Sequence, residues 1–287
     1  MLSRIATFRQ WKQRSLQKIA RKSGVAASIT PDLADLFTKD FEKGMAEFYS
    51  TRETELPKFL CEMSVYFSKF MPLEGNLYKE LIKFVANTKH QVVFATTNYD
   101  LLIEFSIFQL GYKVQYQRLP VNRNSFSVLK IHGSCNFLPD LMGNKITGNT
   151  FQNVGVYIDF PVRFAQPYEI INFCKEEKPQ APAIAMYAKG KEVKFCNKFV
   201  LEQRQFWLES VSKAKRIFVV GLKINADDSH IWQVLASSKA KLLYFGFSKE
   251  DEEDFDEWKK QNSRKNAQCI KGGFVTAIPI IKSHLKQ

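Results

Sequence analysis

The chain has 287 residues and carries 42 lysines and arginines against 29 aspartates and glutamates, which gives a formal net charge of +13. Its hydrophobic residues (45%) and aromatic residues (14%) are sufficient for a sizeable core, so intrinsic disorder is excluded. The sequence contains no apolar run of about 18 residues, and we expect no transmembrane helix. The N-terminus lacks the apolar core of a secretory signal, so we predict an intracellular, cytoplasmic protein.

The first 31 residues contain seven basic side chains and no acidic one, with apolar residues interleaved as on a helix. More than half of the net charge therefore lies in this segment. Three interpretations stay open: a basic helix that lies on nucleic acid or membrane, an organelle transit peptide, or a helix that packs its apolar side on the domain.

The rest of the chain predicts an α/β fold. Residues 31–89 have apolar spacing typical of helices, with breaks expected at Pro57 and near Pro72 and Gly75. Short apolar runs that close on polar or glycine turns are typical of parallel strands buried on both faces. These runs are residues 92–95, 127–131, 216–220 and 242–245, and a helix is expected over residues 101–110.

We predict a single domain over residues 1–287, with a helical N-terminal region (1–89) and a sheet core (90–135 and 199–287). Residues 136–198 contain several prolines and are predicted to be an irregular insertion that covers the site. The acidic residues of 250–257 predict a solvated helix. The five cysteines show no C-x-x-C spacing, which argues against a zinc ribbon or a disulfide framework and favours buried free thiols.

Polar residues and glycines follow three of the predicted strands. Ligands bind at the carboxyl ends of strands in parallel sheets, so these residues are the candidates for a site. Taken singly, each also has a structural interpretation, because an Asn or Asp after a strand commonly caps a helix and a lone histidine is commonly structural. In chain order they are Thr97, Asn98, Asp100, His132, Gly133, Ser134, Gly221 and Asp228.

Together and in this order, these segments resemble the sirtuin-like family, specifically the zinc-free sirtuin-like domains that hydrolyse NAD in bacterial antiphage defence. The resemblance covers roughly residues 90–247. It implies a Rossmann-like parallel sheet, NAD as the substrate and no bound metal. It rests on the residues from Thr97 to Glu104, from Leu129 to Ser134, from Ile217 to Gly221 and from Asp228 to Ile231.

The resemblance also implies roles for the candidate residues. Cleavage of the nicotinamide–ribose bond builds positive charge on the ribose, so a carboxamide must place a water or hydroxyl and a group of near-neutral pKa must take a proton. Asn98 fits the first role and His132 the second. Asp100 would orient Asn98 or a ribose hydroxyl, or would only cap the next helix. The residues expected to contact NAD are Thr97, Gly133, Ser134, Gly221 and Asp228. For Gly221 the alternative is that the glycine only forms a tight turn.

The chain departs from this family at its start. Members open with a buried strand and a Gly-Ala-Gly-x-Ser turn whose amides hold the NAD phosphates. Here the glycine positions fall on about residues 21–23, and residues 24–28 are only an approximate version of the motif. Added side chains should hinder close approach of the pyrophosphate. Either Arg21 and Lys22 contact phosphate through their side chains, or the domain is catalytically inactive.

The leading hypothesis is therefore an NAD hydrolase that releases nicotinamide and ADP-ribose in antiphage defence. Deacylase activity is disfavoured because the four cysteines of a zinc module are missing. The alternative is an inactive sirtuin-like module that binds a nucleotide or a partner. Nucleic-acid binding is permitted by the charge, but no known binding motif supports it. A homo-oligomer or a separate sensor or regulator protein is the expected regulatory partner.

Overall fold

The computed structural model describes residues 24–116, 124–141, 148–152, 155–176, 180–185 and 193–286. Within these ranges the chain is mixed α/β and contains two three-stranded sheets. Its contacts define two compact units, each discontinuous in sequence. The first unit comprises residues up to 71 with 97–101 and 130–202; the second comprises 72–96, 102–129 and the residues from 203 onward. The helix expected in the basic N-terminal segment lies outside the described residues.

The helices and strands are named here in chain order. The α-helices are α1 (Pro31–Lys39), α2 (Phe41–Thr51), α3 (Leu56–Phe67), α4 (Leu77–Ala86), α5 (Leu102–Phe108), α6 (Pro167–Lys175), α7 (Asn197–Lys213), α8 (Ser229–Ser237), α9 (Lys249–Gln261) and α10 (Phe274–Leu285). The strands are β1 (Val93–Thr96), β2 (Lys113–Gln115), β3 (Ser125–Lys130), β4 (Phe137–Pro139), β5 (Gly148–Gln152), β6 (Gly155–Asp159), β7 (Val162–Phe164), β8 (Arg216–Val220), β9 (Lys241–Gly246) and β10 (Ala267–Lys271).

Within the described residues, the helices predicted over residues 31–89 are present. In the first unit, α1 begins at Pro31 after Thr30, whose side chain accepts a hydrogen bond from the Leu33 amide. Pro57 lies in the first turn of α3, where its missing N–H costs no intrahelical bond. These helices pack through aromatic side chains, and the rings of Phe48 and Phe59 stack with centroids 4.4 Å apart. The break between α1 and α2 was not predicted.

Both three-stranded sheets contain parallel pairs, as the apolar runs predicted. One sheet has the order β1-β3-β2, with β2 parallel to β3. The other has the order β10-β9-β8 and is parallel throughout. Residues 242–245 of β9 are at most 2% exposed, which explains their continuous apolar character. Both sheets belong to the second unit except for Lys130, the last residue of β3, which belongs to the first.

The acidic stretch forms the exposed helix that was predicted, α9. Ser248 and Asp251 form a capping box at its start, and lysines occupy its last turn. Phe255 and Trp258 are buried on its inner side, and the ring of Phe255 stacks on Tyr244 with centroids 4.5 Å apart. No helix within the described ranges is both long enough and apolar enough to cross a membrane.

The region predicted as an irregular insertion has more regular structure than expected. It contains the antiparallel pair β4–β7, the antiparallel pair β5–β6 and helix α6. Two of its prolines stand at positions that tolerate a missing N–H, because Pro139 ends β4 and Pro167 begins α6. The single-domain organisation stays a prediction.

Candidate functional site

Three segments of the first unit are joined by hydrogen bonds around Tyr99. The carbonyl oxygen of Tyr99 accepts bonds from the Cys135 amide (3.0 Å) and from the Ser134 hydroxyl (3.4 Å). The Tyr99 hydroxyl donates to the carbonyl oxygen of Ala185 at 3.0 Å. The turn after β1 and the turn after β3 are therefore tied to each other and to residues 181–185.

This arrangement brings together the two turns that carry most of the candidate residues. Thr97 and Asn98 are half-buried, whereas Asp100 is 7% exposed. His132 and Ser134 are almost completely buried, at 1% and 0% exposure. The half-buried Asn98 and the buried His132 thus lie on neighbouring, hydrogen-bonded turns. Helix α5 begins at Leu102, two residues after Asp100, and the role of Asp100 as a cap or as a site residue stays a prediction.

Residues 181–185 hold the histidine turn from another side. The Ser134 amide donates to the Ala183 carbonyl oxygen (2.9 Å), and the Ala185 amide donates to that of His132 (2.8 Å). Gly133 has φ +79°, and a Cβ added there would lie 1.9 Å from the Ala183 carbonyl oxygen. The predicted insertion therefore supplies part of the site's framework. No local pattern in the sequence indicated this contact.

Lys130 is a residue of this region to which sequence analysis assigned no role. It is completely buried, and its ammonium donates to the carbonyl oxygen of Asp100 at 2.5 Å. Its own carbonyl oxygen accepts the Gly133 amide at 3.0 Å. The signal available beforehand was a lysine between Leu129 and Ile131 in a run predicted to be a buried strand, because lysines are almost never fully buried without a partner.

Gly221 and Asp228 belong to the second unit. Gly221 follows β8, is exposed and has φ +70°; no heavy atom of the described residues lies within 4 Å of the position of an added Cβ. Asp228 ends a short 3₁₀ helix immediately before α8 and is 6% exposed. Its side chain makes no capping hydrogen bond to α8. The loop between these two residues is fixed in part by Trp232, whose indole N–H donates to the Lys223 carbonyl oxygen at 3.0 Å.

The approximate glycine motif at the start of the described chain already holds an anion. The amides of Val25 and Ala26 donate to Oε1 and Oε2 of Glu62, at 2.7 and 2.9 Å. Gly24 has φ +93°, which favours glycine, and a Cβ added there would have to displace Glu62 Oε1, which lies 2.1 Å from its position. In this conformation a carboxylate from α3 occupies these amides, so they are not available to a phosphate. Arg21 and Lys22 lie outside the described residues.

The cysteines are free thiols, as predicted, and three of the five are buried. A hydrogen bond with Cys61, and then burial, hold the pKa of the Cys174 thiol well above its ordinary value. Burial raises the pKa of Cys196 to about 12. These two thiols are therefore protonated at neutral pH and poorly suited to act as nucleophiles.

No protein-family model matches the chain, and no curated protein matches it either. The resemblance to the sirtuin-like family therefore stays a prediction based on the residues themselves. The arrangement carries an imidazole and a carboxamide on adjoining turns, and these are types of group that can transfer a proton and orient a water. The expectation that no metal takes part stays a prediction.

Proposed function

We propose that the protein is an NAD hydrolase of the sirtuin-like type, built on a Rossmann-like sheet and acting in antiphage defence. The observation that carries the proposal is the Tyr99 carbonyl, which accepts hydrogen bonds from Ser134 and Cys135 and so joins the turn of Asn98 to the turn of His132. A carboxamide and an imidazole held on adjoining turns are the two groups that this reaction needs.

In the proposed reaction the bond between nicotinamide and the ribose C1′ breaks, and its electron pair stays on the nicotinamide nitrogen. The ribose is left with positive charge, which a water oxygen neutralises by bonding to C1′. The Asn98 side chain orients this water, and His132 accepts the proton that the water loses. The products are nicotinamide and ADP-ribose, so atoms and charge balance without a further reactant. Thr97, which is half-buried, is proposed to contact the substrate; contacts by Gly133, Ser134, Gly221 and Asp228 stay predictions.

A second candidate function is a catalytically inactive module that binds a nucleotide or a partner protein. The observation that favours it is the bidentate contact of Glu62 with the amides of Val25 and Ala26. In the resembling family the amides of the corresponding motif hold phosphate. A chain whose own carboxylate takes that place has lost one source of affinity for NAD.

The test is to incubate the pure protein with NAD and to follow nicotinamide release. Asn98→Ala and His132→Ala should each lower the rate by about 100-fold or more, because each removes a group that acts in the proton transfer or places its water. Asn87→Ala and His90→Ala are matched controls at exposed positions and should keep the rate.

Turnover that survives both Asn98→Ala and His132→Ala would refute the assignment of the site. If the wild-type protein releases no nicotinamide, alone or with candidate activators, the inactive module is the better account. A sensor protein or a homo-oligomer as regulator stays a prediction.

A further inference from the structure

We propose that Lys130 is a positioning residue, whose ammonium holds the turn of Asn98 and Asp100 in register with the turn of His132. The inference rests on the proposed function for its catalytic consequence. That Lys130 holds the turn in place is inferred from its hydrogen bonds alone, and this part of the proposal can be tested without NAD.

The burial of Lys130 is the first reason. It is 0% exposed and stands between Leu129 (0%) and Ile131 (3%) at the end of β3. Removing an amine head group from water is unfavourable unless hydrogen bonds compensate, and an apolar side chain of similar volume commonly serves packing as well or better. A cation at this position is therefore poorly explained by packing alone.

The contacts of Lys130 are the second reason. Its ammonium donates a hydrogen bond to the Asp100 carbonyl oxygen at 2.5 Å. The preceding carbonyl, that of Tyr99, accepts hydrogen bonds from Ser134 and Cys135. Two successive carbonyls of one turn thus accept bonds from residues 130–135. The Lys130 carbonyl meanwhile accepts the Gly133 amide at 3.0 Å. Lys130 is therefore bonded to the turn of Asn98 and Asp100 through its side chain and to the turn of His132 through its backbone.

The hydrogen bonds of Lys130 lie close in sequence to both proposed catalytic residues. Asp100 is two residues from Asn98, and Gly133 directly follows His132. A misplacement of about 1 Å between reacting groups can lower a rate by about 100-fold. Because this alignment matters most in the transition state, loss of the ammonium should lower kcat more than it raises KM.

The experiment compares Lys130→Met with a control in the same strand. Lys130→Met keeps most of the side-chain volume and removes the donor. Val128→Ala alters a residue of β3 that is also 0% exposed; it weakens packing at a position outside both turns and removes no hydrogen-bond donor. For both, kcat and KM for nicotinamide release are measured, together with backbone hydrogen exchange in peptides that cover residues 97–101 and 130–136.

We expect Lys130→Met to lower kcat by about 10- to 100-fold with KM changed less than about threefold, and to speed exchange in both peptides. Val128→Ala should keep kcat and leave exchange at 97–101 unchanged. If Lys130→Met matches Val128→Ala in kcat and in exchange, the proposal is overturned. If Lys130→Met does not fold, Lys130→Gln is judged by the same two criteria.

Failure of the proposed function would have a different outcome. If the wild-type protein does not cleave NAD, the hydrolase proposal falls, and the exchange measurement alone decides the role of Lys130. Faster exchange at residues 97–101 in Lys130→Met than in Val128→Ala then supports the holding of the turn, and equal exchange refutes it.

Discussion

Gly133 and Gly221 each follow a strand and each have a positive φ, of 79° and 70°, yet their surroundings differ. A Cβ on Gly133 would lie 1.9 Å from the Ala183 carbonyl oxygen, whereas within the described residues nothing lies within 4 Å of a Cβ on Gly221. The positive φ favours glycine at both positions. Only at Gly133 does packing against the protein's own backbone require it as well. A glycine after a strand is therefore not by itself a sign of a ligand.

The largest expected effect is that of Gly133→Ala. The added Cβ must displace the backbone at Ala183, and alanine also disfavours the positive φ, so we expect a loss of about 3 to 5 kcal/mol in unfolding free energy. Denaturant unfolding followed by circular dichroism measures it. A loss no larger than that of Gly221→Ala would contradict the close packing of Gly133 on Ala183.

Tyr99→Phe should have an intermediate effect in the same part of the first unit. It removes the hydroxyl that donates to Ala185 at 3.0 Å, and both residues are buried. Loss of a buried hydrogen bond commonly costs about 1 to 3 kcal/mol. Thermal unfolding of this variant is compared with Tyr168→Phe, whose side chain is 66% exposed and which should leave stability unchanged. Equal stability of the two variants would show that the Ala185 bond contributes nothing.

Gly221→Ala should have the smallest effect on stability, about 1 to 2 kcal/mol, because only the conformational preference is violated. Gly75 is a matched control: it also has φ +70° and an open Cβ position within the described residues. If NAD approaches Gly221 closely, Gly221→Ala raises the KM for NAD several-fold more than Gly75→Ala does. Equal KM values in the two variants would leave Gly221 as a plain tight turn.

The sequence predicted best the bounds of two paired strands, β8 and β9, of which only β9 is buried along nearly its whole length. β8 has the predicted bounds, and β9 extends the predicted run by one residue at each end. β2 and β10 were not predicted. Their residues, Lys-Val-Gln and Ala-Gln-Cys-Ile-Lys, include more polar side chains than those of β1 and β8, which lie at the opposite ends of the same two sheets and were predicted. Such strands owe their conformation to pairing with a neighbour more than to their own composition.

The candidate site shows the same limit of prediction. The polar residues after β1 and β3 were recognisable because each group directly follows an apolar run in the sequence. The contacts that fix them depend on residues far apart in sequence, such as Gly133 with Ala183 or Lys130 with Asp100. Periodicity and turn composition report on neighbours along the chain, so they do not reveal which distant segment completes a turn.

The central claim is that the turns of Asn98 and His132 form one catalytic unit, and a double-mutant cycle tests it most directly. Nicotinamide release from NAD is measured for the wild type, Asn98→Ala, His132→Ala and the double variant. Residues that act as a unit are strongly non-additive, so the double variant should be hardly slower than the slower single variant. Two large losses that multiply in the double variant, or no loss in either single variant, would contradict the account.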